Sequence, residues 1–127
     1  MSRGRILVVD DEPDMREMLD YHLTEEGFEV DTVADGPAAL LRMSARDFCL
    51  VLLDLHLPRM TGYQVLESIR ARWPSQLVIT VSSTVVGPAP TSTARADGHL
   101  DKPFELEELS SVVLEILDRT RSGEASR

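Results

Sequence analysis

The sequence predicts an α/β fold, a doubly wound parallel sheet of five strands forming one domain. Three observations predict it. Short continuous apolar runs, such as "FCLVLL" (48–53) and "QLVITV" (76–81), recur along the chain. Amphipathic segments of helical period separate them. Strands apolar on both faces need cover on both faces, and parallel sheets obtain it from their crossover helices. The length, 127 residues, suits one core.

Each element has its own signal. "RILVVD" (5–10) reads as a buried strand. "PDMREMLDYHLTEEG" (13–27) reads as a helix, with Pro13 in its first turn and Gly27 at its end. Its apolar face is Met15, Met18, Leu19 and Leu23. "FEVDTV" (28–33) alternates as a strand, and "DGPAALLRMSAR" (35–46) is a short helix with Pro37 near its start. "FCLVLLD" (48–54) is a second apolar strand, and "TGYQVLESIRAR" (61–72) is a helix stopped by Pro74. "QLVITVS" (76–82) and "GHLD" (98–101) complete the strands. In "LEELSSVVLEILDRTR" (106–121), Leu109, Val112, Val113, Ile116 and Leu117 form an i, i+3, i+4, i+7, i+8 stripe. The domain is expected over 1–121, with 122–127 a polar tail or the start of a linker.

Charge and composition exclude some functions. The net charge of −9 disfavours bare nucleic acid or an anionic membrane as a direct partner, because both call for a basic face. The leading "MSRGRILVVDDEP" meets acid after a few apolar residues, so no signal peptide or membrane span is expected. The single cysteine, Cys49, cannot form an internal disulfide and reads as a structural thiol. A cytoplasmic location is expected.

In a doubly wound sheet, ligands bind beyond the carboxyl ends of the strands. Those ends carry Asp10, Asp11 and Glu12, then Asp54, then Ser82 and Ser83, then Asp101 and Lys102. Lys102 is the only lysine; all twelve other basic residues are arginine. Two carboxylates about 4 Å apart repel by roughly 4 kcal/mol at an effective dielectric of about 20. A hard divalent cation relieves this, and an all-oxygen set suits Mg²⁺ or Mn²⁺ better than Zn²⁺. Carboxylate, cation, hydroxyl and ammonium are the parts a phosphoryl group needs. Position alone leaves open whether Lys102 serves such a group or merely sits there.

The motifs "ILVVDDEPDMREML", "LVLLDLHLPRMTGYQVLESIR" and "HLDKPFELEEL" resemble the receiver domain of two-component response regulators, over residues about 5–118. The resemblance implies the flavodoxin-like receiver fold and a role for each matching residue. Asp54 would be the phosphoacceptor. Asp10 and Asp11 would hold the metal with Asp54, aided by the backbone carbonyl of His56. Ser82 would contact the phosphoryl group, with Ser83 or Thr80 as alternatives. Lys102 would pair with the phosphoryl group, and Pro103 would follow a cis peptide. The implied chemistry is Mg²⁺-dependent transfer from a sensor histidine kinase, or a phosphotransfer protein, onto the protein's own aspartate. The domain would then switch a downstream output protein or a carboxy-terminal output domain. It would not be an enzyme acting on other substrates.

Two positions depart from the family pattern. Where the family has Tyr or Phe three residues before the lysine, a switch position that swings inward on activation, this chain has His99, which can pack similarly but also carries a titratable charge. Between Ser82 and His99 the sequence reads "STVVGPAPTSTARADG", whose Gly87, Pro88 and Pro90 oppose the expected fourth helix. An atypical or broken fourth helix is therefore expected, with 85–97 a mobile loop. Two other readings follow: a pseudo-receiver that binds partners without phosphorylation, and an aspartyl-nucleophile phosphohydrolase. The latter commonly places an acid two residues after the nucleophile, where this chain has His56.

Overall fold

A computed structural model describes residues 2–83 and 95–125, with side chains through 119. The order is β1 (Arg5–Val9), α1 (Pro13–Glu25), β2 (Glu29–Val33), α2 (Gly36–Ala45), β3 (Leu50–Asp54), α3 (Gly62–Arg72), β4 (Val78–Ser83), β5 (Gly98–Lys102) and α4 (Leu106–Ala125). The five strands pair in parallel in the order β2-β1-β3-β4-β5. The expected doubly wound sheet is present. The expectation of a broken helix between β4 and β5 falls on 84–94, outside the described residues; Arg95–Asp97 are non-helical. The last helix runs to Ala125, four residues past the expected end at 121.

Strand alternation builds two cores from one sheet. Ile6, Val8, Leu50, Leu52, Ile79, Val81 and Leu100 face one side, against Leu19 and Leu23 of α1 and Leu109, Val113 and Ile116 of α4. Leu7, Val9, Val51, Leu53 and Val78 face the other, against α2 and α3. This double burial explains the unbroken apolar runs. One predicted core residue is misplaced: Met18 is 39% exposed. Met15, Leu19 and Leu23 recur at i, i+4, i+8, and Met18 lies beside that stripe rather than on it.

The helix ends follow their sequence signals. Gly27, at φ 100°, closes α1: its N–H donates to Thr24 and the Phe28 N–H to Leu23, returning two terminal carbonyls to hydrogen bonds. Asp35 caps α2 by accepting from the Ala38 N–H. Thr61 and Gln64 form a reciprocal capping box at α3.

Candidate functional site

The carboxyl rim is shaped by two turns of the same kind. After β1, Asp10 Oδ1 accepts from the Glu12 N–H at 2.9 Å. After β3, Asp54 Oδ1 accepts from the His56 N–H at 2.8 Å. An aspartate that bonds the backbone two residues on makes a tight turn and spends one carboxylate oxygen on it. The other oxygen of each is turned to Lys102, whose Nζ lies 3.1 Å from Asp54 Oδ2 and 3.3 Å from Asp10 Oδ2. Glu12 Oε1 stands 3.6 Å from the same ammonium.

Two further contacts fix these turns. Arg16, on α1, donates from Nη1 to the Asp10 carbonyl at 2.7 Å, holding the acidic loop to the helix that follows it. Gly62, which opens α3, lies so close to β3 that a Cβ there would stand 2.4 Å from the Asp54 carbonyl oxygen. Its N–H donates to the Leu55 carbonyl. Only glycine lets α3 start directly beneath the Asp54 turn.

Asp10 and Asp54 are buried and Asp11 is exposed; one carboxylate oxygen from each of the three lies within 4.8 Å of the others. Burial raises the Asp10 carboxyl above its ordinary value of 3.8, against the lowering effects of the Glu12 N–H and Lys102. Burial also works against the Lys102 ammonium, but its bonds to Asp54 and the charges of Asp54 and Asp10 outweigh it, and the net direction is up. Asp10, Asp11 and Asp54 against one ammonium leave two negative charges, which one divalent cation balances; Glu12, at 3.6 Å from the ammonium, adds a further one at the rim. The donor set is all oxygen, and Asp11 opens it to solvent. These residues fit Mg²⁺ or Mn²⁺.

Lys102 precedes Pro103 through a cis peptide, as expected. Ser82 lies one residue past Val81, the register partner of Asp54. Its Oγ is 3.2 Å from His99 Nε2. Asp101 does not join the acidic rim. It precedes Lys102 on β5, so its side chain projects from the opposite face, where it meets His99 Nε2 at 3.0 Å. Buried Thr80 completes this second group, its Oγ1 at 2.7 Å from His99 Nδ1. Sequence reasoning missed Arg16 and the Thr80–His99–Asp101 cluster. The spacing of Thr80 from Ser82 and of His99 from Asp101, each i, i+2, signals a shared face, but only the register Thr80↔His99 joins the pairs.

Comparison with known proteins places this arrangement. The response regulator receiver domain family matches residues 6–114. The transcriptional regulatory protein TcrA of Mycobacterium tuberculosis is 42% identical over 111 residues, 86% of this chain and 44% of TcrA. A CheY-like receiver domain protein from Methanospirillum hungatei superposes with a TM-score of 0.86 at 30% identity, covering 96% of this chain and 99% of that one. The response regulator TrrA from Thermotoga maritima, solved in complex with Mg²⁺-BeF, superposes with a TM-score of 0.79 at 34% identity, covering 91% and 99%. The chain belongs to the response regulator receiver domain family, signalling modules of two-component systems. It spans about half the length of the curated relatives it matches.

Proposed function

We propose that this receiver accepts a phosphoryl group on Asp54 from a phosphohistidine of a sensor kinase or phosphotransfer protein. The observation that carries the reading is the Asp54 carboxylate, buried beside Asp10 and Asp11 with Lys102 Nζ at 3.1 Å. An Asp54 carboxylate oxygen attacks phosphorus, the P–N bond breaks, and the imidazole leaves with its electron pair and takes up a proton. Asp10, Asp11, Asp54 and the His56 backbone carbonyl would hold Mg²⁺, which when bound neutralises charge on the phosphoryl oxygens. Lys102 balances another oxygen as a compact point charge, and the Ser82 hydroxyl donates to a third. The His56 N–H on Asp54 Oδ1 fixes the rotation of the carboxylate, so that a chosen oxygen faces the donor.

The downstream effect falls on an output domain elsewhere in a longer chain or on a separate protein. TcrA is named a transcriptional regulator, which supports a transcriptional output for a longer form of this chain. The retained acids and Lys102 weigh against a pseudo-receiver, and His56 two residues after Asp54 weighs against a phosphohydrolase. Incubation with radiolabelled acetyl phosphate and Mg²⁺ tests the reading. Labelling is expected in the wild type and lost in Asp54→Asn. Label that persists in the variant overturns Asp54 as the acceptor.

A further inference from the structure

Both ring nitrogens of His99 meet oxygen. Nδ1 meets Thr80 Oγ1 at 2.7 Å. Nε2 meets Asp101 Oδ1 at 3.0 Å and Ser82 Oγ at 3.2 Å. The side chains of His99 and Asp101 are 42% and 68% exposed, so this group lies at the surface, off the acidic cluster.

These contacts decide where the ring proton sits. An ionised carboxylate only accepts. The Nε2–Asp101 contact is therefore a hydrogen bond only if Nε2 carries hydrogen. In a neutral ring Nδ1 is then bare and accepts from the Thr80 hydroxyl. In a charged ring Nδ1 donates to Thr80, whose own proton can turn to the Gly98 carbonyl at 3.4 Å. Either way Nε2 keeps its one hydrogen, which Asp101 Oδ1 at 3.0 Å and Ser82 Oγ at 3.2 Å share as a three-centre bond. A hydroxyl that accepts there keeps its own proton for another partner. With the opposite tautomer, Nε2 would take the Ser82 proton for itself.

We propose that His99 is a positioning residue for Ser82: Asp101 holds the ring as the Nε2–H form, so that Ser82 accepts from His99 and reserves its proton for a phosphoryl oxygen on Asp54. This rests on the reading of Ser82 as a phosphoryl contact. It gives Asp101 and Thr80 tasks that the acidic cluster does not. It also makes the histidine a polar partner of the hydroxyl, in place of the packing a Tyr or Phe ring would supply.

The test uses beryllofluoride with Mg²⁺ as the phosphoryl probe. Asp101→Lys replaces an acceptor with a donor and favours the reverse tautomer at an exposed position. It is expected to weaken beryllofluoride binding roughly tenfold, the scale of one hydrogen bond to a charged group. The same change in a Ser82→Ala background is expected to have no effect. ¹⁵N spectra of the ring at alkaline pH should show hydrogen on Nε2 in the wild type and on Nδ1 in Asp101→Lys. A wild-type ring protonated on Nδ1, or an Asp101→Lys effect of equal size without the Ser82 hydroxyl, overturns the proposal and leaves the role of Ser82 standing. If Ser82→Ala alone binds beryllofluoride as tightly as wild type, the role of Ser82 falls, and the proposal falls with it whatever the ring shows.

Discussion

Lys102 answers three carboxylates with one ammonium, at 3.1 Å from Asp54, 3.3 Å from Asp10 and 3.6 Å from Glu12. A compact charge on a flexible stem can satisfy all three and, in the proposed reaction, would still follow a phosphoryl oxygen; a planar guanidinium imposes its own fork. Lys102→Arg is therefore expected to melt near the wild type and to be labelled by acetyl phosphate at least several-fold more slowly. Equal labelling rates would show that any cation suffices. Arg59 presents the opposite case. It holds φ 68° in the loop after Asp54, a conformation that strains a side chain, while its guanidinium is largely exposed and only 3.8 Å from Asp35. Arg59→Gly is expected to relieve about 1 kcal/mol of backbone strain, read as a higher urea midpoint. A lower midpoint would mean that the ion pair outweighs the strain.

At the scale of elements, the short β3–α3 connection ties chemistry to architecture. α3 begins at Gly62 with its backbone against the Asp54 carbonyl and the Leu55 Cα. Gly62→Ala would force a methyl into main-chain atoms that cannot rotate away. We expect a loss of about 3 kcal/mol, together with weaker Mg²⁺ binding, because the displaced chain carries the Asp54 turn. Calorimetry with and without Mg²⁺ checks both, and a variant of full stability would show that α3 can shift freely. These elements were legible in the sequence for a physical reason. Strands buried on both faces must be apolar throughout, and helix stops follow from Gly27 and Pro74. What was not legible is what register decides. Asp101 read as part of the acidic rim, yet one residue along a strand reverses the side chain's face, and its partner proved to be His99. Met18 failed for the helical counterpart of that reason, standing one position beside the buried stripe.

At the scale of the molecule, the site sets a stability profile against pH. The Asp10 carboxyl is raised above 3.8 by burial. A raised carboxyl favours folding while protonated, so its contribution is complete below the ordinary value and is lost as pH rises through the folded value. Above that window the ionised group burdens the fold until a cation is bound. Lys102, raised above 10.5, supports the fold below that value and ceases to as pH climbs through its own folded value. Unfolding by urea in chelator, repeated across pH, should therefore show Asp10→Asn gaining on the wild type as pH rises from about 4 toward neutrality. Added Mg²⁺ should reverse the order, because only the wild type retains the full ligand set. A constant gap at every pH would remove Asp10 ionisation as the cause.

The contacts that assemble the site join residues 92 and 48 positions apart, Lys102 to Asp10 and Lys102 to Asp54. The acids come from β1 and β3, at the centre of the sheet, and the ammonium from β5, its edge and its last strand. During synthesis the acids emerge long before the lysine that steadies them. The first four strands bring all three acids and no lysine. The ammonium that steadies the acids thus arrives only with the final strand.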